Sequence, residues 1–279
     1  MDERILTLKI IEAYRSQLIE EEKSAVTVEK YLRDARAFFA FAKERPMERA
    51  LTIAYKEHLA GRGYGAGSIN SMLASLNSLF RFLRCEDCRV RNVKTQKKTY
   101  CPEEKELRRE EYLRLLSAAR CQPRLWLILQ TICSTGIRVS ELQYFTVEAI
   151  RQGEIVVSCK NKTRNILIPG KLRKLLLHFA RRQNIASGVL FRTKSGNPIH
   201  RSNIWAAMKR LCQAAGVAAS KVFPHNLRRL FARTFYTAEK DIARLADILG
   251  HSSIDTTRIY LMSTGSEHRK KIEGLRLVV

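Results

Sequence analysis

Several features of common protein classes are missing from this chain of 279 residues. No apolar run approaches the roughly 20 residues that a membrane-spanning helix needs, and the first residues do not read as a signal peptide. The seven cysteines lack the spacing of a disulfide framework, which favours reduced thiols in a cytoplasmic protein. Neither a glycine-rich phosphate loop nor a dinucleotide-binding motif is present. We therefore expect a cytoplasmic protein without a membrane partner and without a nucleotide cofactor.

Acidic side chains are also scarce, and their distribution is uneven. The chain has 51 Lys and Arg against 27 Asp and Glu, a net charge of +24 at pH 7. Residues 1–80 are nearly neutral, with 12 basic and 11 acidic side chains, whereas residues 81–279 carry 39 basic and 16 acidic ones. Between Glu154 and Glu239 there are 17 Lys and Arg and no acidic residue. Since solvated surfaces normally mix both signs, this excess indicates a polyanionic partner, most commonly nucleic acid.

What the chain does have is helical periodicity, arranged as two domains. Apolar residues recur at helical spacing in four segments of residues 1–88, which predicts a small helical bundle. Residues 107–279 show further helical segments and two short β-branched runs, 154–158 and 165–168, that predict a hairpin. The fold class expected is mainly α, with one small antiparallel β-sheet in the second domain.

Residues 89–106 are predicted to link the two domains. They are polar, contain Pro102 and lack apolar periodicity. Their basic residues Lys94, Lys97 and Lys98 are consistent with a linker lying along a phosphate backbone. A tether that only improves solubility is the alternative.

An ordered set of basic residues and one tyrosine lies in the second domain. The segments are Ser134–Leu142, the hairpin turn, His225–Arg228, Leu249–Ser253 and Asp255–Tyr260. The residues concerned are Arg138, Lys160, His225, Arg228, His251 and Tyr260. His251 follows Arg228 by 23 residues, and Tyr260 follows His251 by nine.

These residue types suit the transfer of a phosphodiester. Two guanidinium groups can neutralise charge on the non-bridging oxygens through bidentate hydrogen bonds. A phenol can act as nucleophile when neighbouring donors and cations activate it, and a Lys or His can protonate the leaving oxygen. The set contains no clustered carboxylates of the kind that hold Mg²⁺. The residues therefore predict metal-independent strand transfer through a covalent phosphotyrosine.

The same ordered set resembles the tyrosine recombinase, or phage integrase, family, in particular its short Xer-like and transposon-integrase members. The resemblance implies a helical core-binding domain and a catalytic domain that form a C-shaped clamp around double-stranded DNA at a recombination site. It also implies a 3′-phosphotyrosyl intermediate formed without metal or ATP, and a homotetramer that exchanges strands through a four-way junction. The C-terminal tail is expected to dock on the neighbouring protomer.

The resemblance assigns roles to individual residues. Arg138 and Arg228 would clamp the scissile phosphate, and Tyr260 would be the nucleophile. His225 would contact the phosphate and help take the tyrosine proton, while His251 would hold a non-bridging oxygen. Further contacts with the DNA backbone are expected from Lys94, Lys97, Lys98, Lys162, Arg164 and Arg229.

The general acid is less well determined by the sequence. The hairpin turn reads Cys159-Lys160-Asn161-Lys162-Thr163-Arg164, one residue shorter between the lysines than is common in the family. Lys160 is preferred because it follows the first strand directly, and Lys162 remains the alternative. Two other positions depart from the family pattern, Arg229 and Met262, where members often have His.

Two other functions stay open at this point. A type IB topoisomerase shares the residue set and the phosphotyrosine, and would relax supercoils without site preference. A DNA-binding regulator that has lost catalysis is the other, although the complete residue set argues against it. The recombination site, the direction of the reaction and any accessory proteins cannot be predicted from the sequence.

Overall fold

The computed structural model of the chain describes residues 4–96, 100, 102–159, 162–262 and 264–275. These residues divide after position 97 into two compact units. The division falls inside the predicted linker. The architecture is mainly helical with one small antiparallel sheet, as predicted.

The first unit is a bundle of four helices. Thr7 and Ser24 cap the first two helices, since each side chain accepts a hydrogen bond from a backbone N–H three residues on. The core is apolar and aromatic, and the rings of Phe38 and Phe80 pack edge to face with their centroids 5.8 Å apart. The helices are α1 (Leu8–Glu20), α2 (Ala25–Ala42), α3 (Arg49–Gly61) and α4 (Ala66–Phe82).

The first part of the predicted linker belongs to this bundle. Cys88 and Val90 are buried in its core, and Val93 packs against it. The Asn70 side chain on α4 accepts from the Val93 N–H at 2.7 Å and donates to the Val93 carbonyl at 3.0 Å. The bundle therefore extends several residues beyond the predicted limit at residue 88.

The second unit contains the remaining helices and the hairpin. Its helices are α5 (Arg109–Ala118), α6 (Pro123–Thr135), α7 (Val147–Gln152), α8 (Gly170–Arg182), α9 (Arg201–Ala215), α10 (Pro224–Glu239), α11 (Ile242–Leu249), α12 (Ile254–Leu261) and α13 (Gly265–Glu273). A 3-10 helix, Val139–Tyr144, follows Arg138. The short helix α7 has no counterpart among the predicted elements.

The hairpin packs one face on the core of the second unit. Strands β1 (Glu154–Cys159) and β2 (Lys162–Leu167) pair in antiparallel register, with Ile155 opposite Ile166 and Val157 opposite Arg164. Ile155, Val157 and Ile166 are buried. Because partners in an antiparallel pair share a face, this register turns Arg164 inward.

The C-terminal helix α13 packs against other residues of the second unit. Arg233 on α10 donates to both carboxylate oxygens of Glu267 at 2.7 and 2.9 Å, and also pairs with Glu106. The rings of Tyr100 and His268 meet at 5.0 Å. The docking of the C-terminal tail on a neighbouring protomer, which the resemblance implied, stays a prediction.

Across the part of the chain that the structure describes, no helix is both long enough and apolar enough to cross a bilayer.

Candidate active site

Five of the six predicted catalytic residues meet where helix ends converge in the second unit. Arg138 follows α6, and His225 and Arg228 lie in the first turns of α10. His251 follows α11, and Tyr260 is in the last turn of α12. The sixth, Lys160, lies outside the described residues, as do Lys97 and Lys98.

Two glycines end the helices that lead into this site. Gly136 ends α6 with φ +64° and Gly250 ends α11 with φ +64°, a left-handed conformation that favours glycine. A Cβ on Gly136 would overlap the ring of Phe231, and one on Gly250 would lie 2.5 Å from Cδ of Arg164. Both turns are therefore closed tightly against side chains of the site.

Arg228 is the buried cation at the centre. Only 1% of the residue is exposed, and its guanidinium donates to the carbonyls of Gly136 at 2.6 Å and Leu249 at 2.7 Å. Burial, and next the charge of Arg138, lower the pKa of Arg228 to about 10. The group thus remains charged at neutral pH and ties the ends of α6 and α11 together. In this arrangement it is not open to solvent as the predicted phosphate clamp requires.

Arg138 is the more open of the two predicted clamp residues. Its side chain is 44% exposed, and its guanidinium donates to Glu141 at 3.2 Å and to the Gly250 carbonyl at 3.4 Å. The carboxylate of Glu141 also accepts from the Arg138 backbone N–H at 2.7 Å. Donors of Arg138 that point to solvent are thus held on a fixed backbone.

Arg164 occupies a different place from the one predicted. Its side chain is only 12% exposed, pairs with Glu141 at 2.5 Å and donates to the Ile248 carbonyl. The expected contact of Arg164 with the DNA backbone is therefore corrected: its guanidinium is used inside the protein. Glu141 itself is buried and serves both Arg138 and Arg164.

His251 is held between Arg228 and Thr257. Its Nε2 is 3.0 Å from the Arg228 guanidinium, and its Nδ1 is 2.9 Å from the Thr257 hydroxyl. Since a guanidinium only donates, Nε2 must accept, which places the ring proton on Nδ1. Burial, followed by the charges of Arg228 and Arg138, lowers the pKa of His251 to about 4. The imidazole is accordingly neutral at pH 7.

Tyr260 lies between the two histidines. Its hydroxyl is 3.5 Å from Nδ1 of His225, and its ring centroid is 4.9 Å from that of His225 and 5.0 Å from that of His251. The Arg228 guanidinium lies 5.8 Å from the ring centroid. Only 8% of Tyr260 is exposed. The phenol is thus surrounded by one cation and two imidazoles.

His225 has the properties of a proton acceptor for this phenol. Its side chain remains accessible to solvent, yet partial burial and then the charges of Arg228, Arg229 and Arg138 lower its pKa. The neutral imidazole is therefore favoured at physiological pH. Only a neutral ring can accept a proton.

The remaining predicted DNA contacts have separate positions. Lys94 is exposed, while Arg229 is partly buried and donates to the Met262 carbonyl at 2.9 Å, beyond the end of α12. The predicted contact of Arg229 with DNA stays a prediction. Lys162 begins β2, paired with Cys159.

Two residues of the site, Glu141 and Thr257, were not predicted as functional. A sequence signal existed for Thr257, because it precedes Tyr260 by three residues and so shares its face of a helix. Glu141 is three residues from Arg138, a spacing that is equally typical of a surface ion pair. No local signal pairs Glu141 with Arg164, because 23 residues separate them.

The site has more positive than negative charge. Three guanidinium groups, those of Arg138, Arg164 and Arg228, surround the single carboxylate of Glu141 among the contacts described above. An anion such as a phosphate would neutralise the excess. Within the described residues, no group of three or more His, Cys, Asp or Glu could hold a metal ion.

Known proteins resemble this chain over both of its units. Residues 105–267 match the phage integrase family, and residues 11–87 match the N-terminal SAM-like domain of phage integrases. The tyrosine recombinase XerA of Pyrococcus furiosus is 30% identical over 100% of this chain and 98% of the relative. The chain belongs to the phage integrase family. It is a site-specific tyrosine recombinase, and a second tyrosine recombinase, XerD of Haemophilus ducreyi, is 28% identical over 90% of this chain and 92% of the relative.

The fold of this tyrosine recombinase is shared by solved structures. A lambda integrase tetramer bound to a Holliday junction superposes with a TM-score of 0.77, covering 94% of this chain and 79% of that one at 19% identity. The crystal structure of XerA recombinase covers 97% of this chain and 99% of that one, with a TM-score of 0.55 and 23% identity. At these identities the likeness establishes the fold.

Proposed function

We propose that this recombinase cuts and rejoins double-stranded DNA at a specific site through a 3′-phosphotyrosyl bond to Tyr260, with neither metal nor ATP. The observation that carries the proposal is the position of the Tyr260 phenol, 3.5 Å from a neutral His225 and against the buried cation Arg228. This is the environment that a phenol needs in order to become a nucleophile.

Four groups take part in the proposed cleavage step: the Tyr260 hydroxyl, the scissile phosphate, His225 and Lys160. The Tyr260 oxygen forms a bond to phosphorus while the bond from phosphorus to the 5′-oxygen breaks. The phenolic proton passes to Nδ1 of His225, and Lys160 protonates the leaving 5′-oxygen, with Lys162 as the alternative acid. Rejoining reverses each transfer, so the energy of the phosphodiester is conserved and no nucleotide is consumed.

The arginines and His251 would stabilise the phosphate during this step. Arg138 can reach a non-bridging oxygen from its exposed position. Arg228 is covered by the Tyr260 ring. We propose that α12 moves when DNA binds, so that Tyr260 reaches phosphorus and Arg228 becomes available to the second oxygen. His251, released from Arg228, would then carry its ring proton on Nε2 and donate it to the same oxygen.

The partners proposed are a duplex recombination site and three further copies of the chain. A lambda integrase structure, which shares the fold, is a tetramer bound to a Holliday junction, and the Tn1549 transposon integrase has been solved in complex with transposon right end DNA. By analogy we propose a tetramer that acts on a mobile element or on chromosomal sites. Cytoplasmic DNA is the proposed substrate pool.

Covalent capture tests this function and identifies the recombination site in the same experiment. The protein is incubated with nicked suicide duplexes of randomised core sequence in the presence of EDTA, and DNA that survives denaturing washes is amplified and sequenced. We expect a defined core sequence to be enriched. Tyr260→Phe should give no captured DNA while retaining binding, because only the phenolic oxygen is removed.

Tyr236→Phe is the matched control, since Tyr236 packs against the same apolar cluster as Tyr260. It should capture the same sequences as the wild type. Capture without sequence enrichment, together with relaxation of supercoiled DNA, would favour the topoisomerase alternative. Binding without any capture would favour the regulator, and capture by Tyr260→Phe would contradict the proposed nucleophile.

A further inference from the structure

A closed ring of contacts connects β2 to the catalytic residues through Arg164. From Arg164 one branch runs to Glu141 at 2.5 Å and on to the Arg138 guanidinium at 3.2 Å. The other branch runs to the Ile248 carbonyl in the last turn of α11. The ring closes where the Gly250 carbonyl, two residues later, accepts from Arg138 at 3.4 Å.

The turn at the end of α11 depends on the same side chain. Gly250 lies against Arg164 closely enough that no Cβ would fit between them. The carbonyl of Leu249 and the ring of His251, on either side of Gly250, both contact the Arg228 guanidinium. Arg164 therefore touches the backbone that places His251 as well as the carboxylate that places Arg138.

We infer that Arg164 is a positioning residue for the recombinase reaction, which sets the Arg138 guanidinium and the His251 turn at a fixed separation across the scissile phosphate. Its own guanidinium is directed into the protein and does not reach DNA. Most of its effect on the reaction passes through Glu141 and Arg138, so it depends on the charge of the phosphate that Arg138 meets.

The geometry also explains why an arginine is needed here. The two terminal nitrogens of Arg164 bind acceptors on different elements, the Glu141 carboxylate and the Ile248 carbonyl. A planar guanidinium holds two such acceptors at a fixed spacing, whereas the single ammonium of lysine is a point charge on a flexible stem. Arg164→Lys is accordingly expected to be intermediate in activity.

The test uses a substrate whose scissile phosphate carries no charge, and it rests on the proposed function. Single-turnover cleavage is measured at saturating protein on the captured suicide duplex and on the same duplex with a methylphosphonate at the scissile position. We expect Arg164→Met to cleave the phosphodiester on the order of 10²-fold more slowly, as loss of one transition-state donor does. On the methylphosphonate, which needs little charge neutralisation, the same variant should stay within a few-fold of wild type.

Two comparisons separate positioning from a general loss of structure. Arg114→Met removes an arginine that also holds two acceptors, the backbone carbonyls of Ala215 and Gly216 at 3.0 and 3.3 Å, away from the site. It should slow neither substrate. In the Arg138→Ala background, Arg164→Met should slow cleavage by far less than it slows the wild type, because most of the effect of Arg164 passes through Arg138.

Each outcome has a distinct meaning. If Arg164→Met slows both substrates equally, or adds its full effect to Arg138→Ala, the inference is wrong. Wild-type rates for Arg164→Met would also overturn it. If Arg164→Met does not fold, Arg164→Lys carries the same test, with a smaller loss confined to the charged phosphate. Wild-type protein that forms no adduct with either duplex would instead contradict the proposed function, and with it any role of Arg164 in that reaction.

Discussion

Individual side chains in this site divide into groups held by the protein and groups left open for a substrate. Arg228, Arg164 and Glu141 are used on internal partners. Arg138 and His225 remain exposed, and both are anchored by their position at helix ends. The buried groups thus fix the geometry, while the exposed ones are available to the phosphate of the proposed substrate.

The protonation state of His251 leads to a prediction about pH. The pKa of His251 in the folded protein is about 4, below the ordinary value of 6.5. Above pH 6.5 the imidazole is neutral in both the folded and the unfolded chain, so its protonation does not change the free energy of unfolding. As the pH falls from 6.5 towards 4, the unfolded chain binds a proton that the folded chain does not, and stability is lost. We therefore expect the free energy of unfolding to fall more steeply in wild type than in His251→Gln between pH 7 and 4.5.

Urea unfolding followed by tryptophan fluorescence measures the free energy of unfolding of the second unit at each pH. Both tryptophans, Trp126 and Trp205, lie in the second unit, so the signal reports the unit that holds His251. His178→Gln, at an exposed position on α8, is the matched control and should keep the wild-type pH dependence. Equal slopes for wild type and His251→Gln would show that His251 titrates normally in the folded chain.

For individual side chains, the sequence predicts which residues form the site better than it predicts what each of them does there. The order and spacing of Arg138, His225, Arg228, His251 and Tyr260 were enough to select residues that the fold brings together. The tasks of Arg164 and Arg228 could not be predicted in the same way. They depend on carbonyls and carboxylates that are distant in sequence, such as Ile248, which lies 84 residues beyond Arg164.

At the scale of elements, the site is built from the ends of helices. The left-handed turns that end α6 and α11 bring Arg138 and His251 to the first turn of α10. Helical spacing predicted the helical character of both units, and two β-branched runs predicted the hairpin. The 3-10 helix Val139–Tyr144 and the helix α7 are six residues each, too short to show a helical period in the sequence.

Substitutions at two glycines can distinguish the cost of a left-handed backbone from the cost of displacing a packed side chain. Gly216 and Gly250 both end helices with positive φ, +58° and +64°, but a Cβ meets nothing within 4 Å at Gly216 and meets Arg164 at Gly250. Gly216→Ala should cost about 1 kcal/mol, the left-handed penalty of an L-residue. Gly250→Ala should cost roughly 1–3 kcal/mol more, because Arg164 must be displaced.

Urea unfolding monitored by tryptophan fluorescence reads both variants in the same unit. Similar losses at the two positions would mean that Arg164 moves aside easily and does not hold the turn. Such a result would also weaken the positioning role inferred for Arg164.

At the scale of the whole molecule, charge controls the approach to DNA. The net charge of +24 and the acid-free stretch from 155 to 238 would neutralise many phosphates. Affinity for a short non-specific duplex should therefore fall roughly tenfold or more between low and physiological ionic strength. Fluorescence anisotropy across a salt series measures this. A nearly flat dependence would show that the acid-free stretch does not face DNA.

One lysine of the predicted linker can be tested in the same series. Lys94 is exposed, and Lys94→Gln should lower the salt slope by about one if that side chain contacts a phosphate. Arg4→Gln is the control with the same charge change, since Asp87 already pairs with Arg4 at 2.7 Å. An unchanged slope for Lys94→Gln would assign this part of the linker to tethering alone.

The central claim, a covalent bond between DNA and Tyr260, can be read directly from the captured adduct. After nuclease trimming and trypsin digestion, residues 259–269 form one peptide, which contains a single tyrosine, Tyr260. Fragmentation mass spectrometry of the wild-type adduct should place the residual nucleotide on that tyrosine, in reactions run with EDTA and without ATP. A nucleotide attached to any other residue, or an adduct that forms only when metal or ATP is added, would contradict the proposed mechanism.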